Sequence, residues 1–369
     1  MHESRQPVLT GWQLFSLVLN SIVGVGIFGL ARRAGEVAGR GVLLAIPLAG
    51  VFVVLQIIGM FLLASRFPQQ TLSEYARQIL GDFLGRIYLL GYILMTIALV
   101  LIASRSYWLL ASSWTMERTP QIAFLLPLVL VCWNVARRGI VVTARTVELI
   151  NYGGMTLIFL LMLPILDLDW DLVRPVLDTG ISGVLRGIPL TIYSISGSEI
   201  ILLVFPFVRS KRAFAITVAA LALATLFYMV TTLFILGTLG LELTVLTPWP
   251  LQLYLNRFAF ALFERFDVVF LIVWAFQMVN LISINMYTAA NCLRGVYPRL
   301  DAQRSALIVL MLVLVGIAIP ARAAIQSIIV KQFSLAALIY YGVLPFLLLL
   351  VAILRGKKGE DRDEQKEMA

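Results

Sequence analysis

The sequence predicts an all-α membrane protein of ten transmembrane helices in which the first and the sixth are broken. Three observations lead there. Of 369 residues, 60% are hydrophobic and 13% charged, against about half apolar and about a quarter charged in a soluble domain. Charge-free apolar runs recur along almost the whole chain, and a helix needs about 20 such residues to cross a hydrocarbon core roughly 30 Å thick. Glycine- and serine-rich stretches interrupt two of these runs near their middles, at equivalent places in two five-helix halves. Helices follow because backbone exposed to lipid must satisfy its own hydrogen bonds, and no alternation of period two argues for a barrel.

The first span is read at 10–31. The uncharged run from Gln6 to Ala31 is too long for a signal peptide, carries Asn20 and lacks a small-x-small cleavage site, so it is retained. Spans two to five fall at 42–65, 87–115, 121–136 and 148–166, and spans six to ten at 184–208, 213–239, 267–292, 304–320 and 333–354. The fourth and ninth are short, and the sixth is interrupted by Glu199. After Thr247-Pro248-Trp249-Pro250, the segment LQLYLNRFAFALFERFD repeats its apolar residues at helical spacing. An interfacial or re-entrant helix is expected there, with a plain surface loop as the alternative. The chain thus divides into a tail at 1–9, a ten-helix domain at 10–354 and a charged tail at 355–369 that is too poor in apolar residues to fold.

Charge sets the orientation. The net charge of +9 comes as twos and threes of Lys and Arg between apolar runs, a pattern of membrane topology and not of nucleic-acid binding. With the N-terminus inside, 18 of the 29 basic residues lie in cytoplasmic segments, and the outer connection from Asp167 to Asp178 is acidic. Both termini are therefore expected in the cytoplasm, although Arg32, Arg33 and Arg40 run against the bias. The single histidine, His2, lies in the N-terminal tail, and Cys132 and Cys292 stand far apart. No disulfide framework, metal site, nucleophile motif or phosphate loop is apparent, so neither an enzyme nor a bound cofactor is expected.

The candidate site lies where the helices break. Span one holds Gly24, Val25, Gly26 and Ile27 within NSIVGVGIFGLA, and span six holds Tyr193, Ser194, Gly197, Ser198 and Glu199 within YSISGSE. Glycine also serves helix packing, so either motif alone says little. Discontinuous helices at corresponding positions point to a transporter-type site, because unwinding frees amides and carbonyls at the midplane and a half-helix N-terminus favours an anionic group. A carboxylate is the natural ligand.

Two charges lie deep in the membrane. Arg105 is about 12 residues, roughly 18 Å, from the outer end of span three, and Glu199 about 10 residues, roughly 15 Å, from the inner end of span six. Such a charge costs about 2.5 kcal/mol or more, so each should face protein or water. One reading gives Arg105 and Glu199 a shared polar interior; the other has Arg105 snorkelling and Glu199 protonated. Span eight aligns Gln277, Asn280, Tyr287 and Asn291 on one stripe, for ligand contact or for interhelical hydrogen bonds.

The segments IVGVGIFGLARRAG, WTMERTP, DLVRPVLDTGISGV, SISGSEIILLVFP and FERFDVVFLIVWAFQMVN resemble, in order, those of the B subunit of bacterial spore germinant receptors, the GerAB family of germination permeases. The similarity runs from Leu9 to Leu354. It implies a LeuT-like inverted five-helix repeat in the inner membrane of the dormant spore. It further implies binding of a nutrient germinant, commonly an amino acid, beside a membrane-embedded A subunit and a C-subunit lipoprotein, with release of ions and dipicolinic acid. The family's glycine motif falls on Gly24 and Gly26, its span-three arginine on Arg105 and its span-six acid on Glu199. Relatives often carry proline after the leucine of the first motif, where this chain has Ala31. A germinant sensor is thus the leading expectation. A secondary amino acid transporter and an ion or water conduit within the receptor are the alternatives.

Overall fold

The first span opens on a reciprocal cap. Thr10 accepts from the backbone of Gln13, whose side chain returns to Thr10 N, and α1 (Gly11–Ile22) follows. The computed structural model describes residues 8–160, 168–257, 266–320 and 322–359. Among them the regular structure is helical, apart from one parallel bridge between Leu9 and Val208. The expectations for the 360–369 tail and for the 258–265 part of the interfacial segment lie outside the described residues.

Helix α2 (Gly26–Ala38) continues the first span beyond a break at 23–25 and reaches further than the sequence suggested. A short turn leads to α3 (Val42–Ser65), and α4 (Leu72–Leu80) and α5 (Asp82–Trp114) follow. Next come α6 (Gln121–Ala136), α7 (Ile140–Leu160) and the single turn α8 (Trp170–Val173). The second half opens with α9 (Gly180–Ile195), which breaks and resumes through 3-10 turns around α10 (Ile201–Val204). It continues as α11 (Ala213–Leu246), α12 (Pro250–Asn256), α13 (Phe266–Val296) and α14 (Ala302–Ala318). Finally α15 (Ala323–Ala337) passes through a π-helical turn, Leu338–Val343, into α16 (Leu344–Leu354).

Among the described residues, five helical stretches are long and apolar enough to cross a bilayer: Gly26–Ser65, Asp82–Ser113, Ala213–Leu246, Val268–Val296 and Ala324–Leu354. Gly180–Ile195 and Ser198–Phe207 qualify together as a sixth, bent by 48°. Helices α6 and α14 are apolar but shorter, with 16 and 17 residues. The exposed residues show what surrounds them. On α3, Leu44, Leu48, Val51, Phe52, Leu55 and Leu62 face outward while Ala45, Ala49, Val53 and Met60 are buried. A helix apolar on both faces belongs in lipid. This is a multi-pass membrane protein.

The helices pack as two groups. Helices α1, α2, α3, α9 and α11 contact one another, and α5, α6, α13 and α14 form the second group, with α13 and α7 reaching back to α1. The two broken spans therefore lie together inside the first group, with α13 against them.

The junction of the two broken spans as candidate functional site

The breaks touch through backbone. Gly197 has φ +147°, a conformation that favours glycine. A Cβ there would run into the backbone of Ser21 and stand 2.7 Å from Ile22 N. The absent side chain lets the second break press onto the end of α1. Gly26 makes the matching approach from the first break, where a Cβ would stand 3.2 Å from Ser194 Cβ.

At the first break the protein supplies its own polar partners. Leaving helical geometry at Val23 (ψ 109°) frees carbonyls at the end of α1. The Gln277 side-chain amide donates to Val23 O at 2.5 Å and to Asn20 O at 3.4 Å. The Tyr228 hydroxyl on α11 donates to Ile22 O at 3.3 Å and lies 3.4 Å from the Gly24 amide that points to it. One turn earlier, Asn280 donates to Asn20 Oδ1 at 2.9 Å, and Asn20 donates to Ser16 O and to Asn151 Oδ1. Of the expected stripe on span eight, Gln277 and Asn280 thus bond across helices around the end of α1, and Asn291 accepts from Ser73 on α4. Val25 is half-buried, and Ile27 is buried in the core.

The sequence reading missed a cation here. Arg33 folds back along α2 and donates to Gly26 O at 3.1 Å and to the Ser194 hydroxyl at 3.4 Å. Tyr193 and Tyr228, with Arg32 and Glu36 on its own helix, are its ionisable neighbours, and Tyr193 also meets Phe333 edge to face. Among the described residues no carboxylate forms a salt bridge with Arg33, and Glu36 is paired with Arg32 at 3.0 Å. The signal was present: Arg33 is seven residues, two helical turns, after Gly26 and so on its face. Ending the first span at residue 31 hid it in a loop.

At the second break Ser198 is buried, and Glu199 points to a hollow of about 10 Å³, the room of one water molecule. The hollow is lined by Ser21 of α1, Tyr92 and Thr96 of α5, Asn285 and Thr288 of α13, and Tyr341 in the π-helical turn. The backbone amides of Gly197 and Glu199 serve the Glu199 carboxylate. These neighbours come from four elements besides its own, which no local pattern could reveal.

Arg105 is not part of this site. Its guanidinium donates to Gly316 O at 2.5 Å and to Ile319 O at 3.2 Å, at the end of α14. Thr96, which does line the hollow, lies nine residues earlier on α5, about 13 Å along the axis. The shared interior of Arg105 and Glu199 is therefore corrected: Arg105 finds its partners in the carbonyls that α14 leaves free at its C-terminus.

Comparison with known proteins agrees with this geometry. The solved structure of a nucleobase-cation-symport-1 family transporter, closed with bromovinylhydantoin bound, superposes with a TM-score of 0.69 over 96% of this chain and 80% of its own, at 13% identity. A Na+-coupled sialic acid symporter gives 0.64 over 94% and 79%, at 14% identity. At such identities the likeness shows the fold, the LeuT-like one. Spore germination protein YndE of Bacillus subtilis (strain 168) is 28% identical over 362 residues, 95% of this chain and 98% of that protein. Spore germination protein B2 of the same organism is 25% identical over 275 residues, 73% and 74% of the two chains. The family model for spore germination proteins of the spore permease type matches residues 8–354, and the chain belongs to that family.

Proposed function

We propose that this chain is the nutrient-sensing membrane subunit of a spore germinant receptor, and that it binds a small carboxylate ligand, an amino acid, between the broken spans. One observation carries the reading: Arg33, bonded only to Gly26 O and the Ser194 hydroxyl among the described residues while its neighbour Glu36 pairs with Arg32, sits where Gly26 and Ser194 bring the two breaks together. A guanidinium is well matched to a carboxylate. The amides at the start of α2 add positive potential on the same side. Gly24, Val25 and Gly26 with Ile27, and Tyr193 and Ser194 with Gly197, form the walls.

In this reading residues 10–354 are the sensing domain, both termini are cytoplasmic, and the protein resides in the spore inner membrane. It acts with an A subunit and a C-subunit lipoprotein. Ligand must favour one of two arrangements of the breaks to produce a signal. Transport is the second reading, favoured by the likeness to symporters. The test is thermal stability of the purified chain against a panel of L-amino acids, their amides, nucleosides and sugars. An amino acid should raise the midpoint, its amide should not, and Arg33→Gln should abolish the response. A response retained in Arg33→Gln moves the site elsewhere. Accumulation of labelled amino acid in proteoliposomes holding this chain alone assigns transport instead.

A further inference from the structure

We infer that the hollow beside Glu199 is a site for one small positive charge, taken either as an alkali cation or as a proton on a single bound water. Ser21 donates its hydroxyl hydrogen to Leu17 O, Thr96 to Tyr92 O and Asn285 its amide to Leu281 O, each at 2.8 Å. With the two hydroxyl hydrogens and one Asn285 amide hydrogen committed to carbonyls of their own helices, the lone pairs of the hydroxyls and the Asn285 carbonyl remain as acceptors for the hollow. Tyr341 lies beside Thr96, and Thr288 closes the ring. The hollow is therefore rich in acceptor oxygens around one half-buried carboxylate.

Among the described residues no cation neutralises that carboxylate. Arg33 is bonded to Gly26 and Ser194, and Arg105 to the end of α14. The ionisable groups that do face Glu199 are Tyr92 and Tyr341, with Cys292 behind them. Phenols and a thiol bring no positive charge. A carboxylate inside a helix bundle needs a counter-charge or a proton, and acceptor oxygens around a space of about one water's volume suit a hard monovalent ion.

The break of the first span contrasts with it. Carbonyls at an unwound half-helix end are the usual place for a cation in this architecture. Here the Gln277 amide occupies two of them. The oxygen-lined position left open is the one at Glu199. The inference is independent of whether the chain senses or transports, because its readout is stability.

The experiment measures the unfolding midpoint of the purified full-length protein in choline chloride, with NaCl or KCl substituted at constant ionic strength, from neutral to mildly acidic pH. Saturating the site should raise the midpoint by about 2–5 °C. A shift given by Na+ or K+ at fixed pH identifies an alkali ion, and one given by acid in choline alone identifies a proton; both support the site. Glu199→Gln should abolish either response. Thr288→Val, which keeps charge and shape, should raise the half-saturating concentration roughly five-fold and serves if the first variant does not fold. A wild type indifferent to all three cations, or a response unchanged in both variants, overturns the inference.

Discussion

The two broken spans solve the same backbone problem in different ways. At the first break the freed carbonyls are met by side chains from other helices, with Gln277 on Val23 and Asn20 and Tyr228 on Ile22. At the second, contact is made by removing a side chain: Gly197 brings its backbone onto Ser21 and Ile22, and the polar group left over, Glu199, faces a hollow. One break is held by donors that rotamer changes can release. The other is held by a glycine that no rotamer change can replace. Under the proposed sensing role, the first is the place expected to rearrange with ligand, and the second the fixed wall against which it would do so.

The largest expected effect tests that wall. Gly197→Ala places a Cβ into backbone atoms of α1 at a φ of +147°, and neither neighbour can rotate away. A loss of about 3 kcal/mol or more is expected, seen as a collapse of the unfolding midpoint in detergent. Gly24→Ala supplies the contrast, since its Cβ meets the end of the Leu281 side chain at 3.0 Å. That leucine can move, and about 1 kcal/mol is expected. Equal losses at the two glycines would remove the distinction between the breaks.

Much of this architecture could be read before any coordinates. The bilayer forces apolar runs of fixed length, so α3 falls at Val42–Ser65 as expected and both breaks fall on their glycine motifs. A capping pair could have been read too. Thr71 and Glu74 cap each other at the start of α4, a helix that hydropathy alone passes over. What could not be read is azimuth. The sequence places Arg105 along span three, but the direction its side chain leaves α5 decides that it caps α14. The hollow at Glu199 draws Ser21, Thr96, Asn285 and Tyr341 from parts of the chain up to 320 residues apart, a proximity set by tertiary packing alone.

Next in size is the side-chain clamp. Gln277→Leu keeps volume but leaves the carbonyls of Val23 and Asn20 without their donor in a buried setting, which should cost about 1–3 kcal/mol. The same change frees the first break to rearrange. If that break is the moving one, Gln277→Leu lowers the midpoint while altering the ligand-induced shift. If the midpoint falls and the ligand shift stays as in the wild type, the clamp is structural only, and rearrangement must be sought at α9 and α10.

The smallest expected effect concerns a charge that sequence alone had placed near Glu199. Arg105→Met removes donors from Gly316 O and Ile319 O at the end of α14, where a cation also complements the helix dipole. The loss should be about 1 kcal/mol, because Arg105 is half-buried and the freed carbonyls are near the helix end, where other donors reach them. Gln121 already donates to Ile317 O and Ile319 O. Ligand and cation responses should be the same as in the wild type, since Arg105 touches neither break. A ligand response lost in Arg105→Met while the midpoint holds would mean that α14 moves with the first break, and would transfer the sensing element from the broken spans to the second helix group.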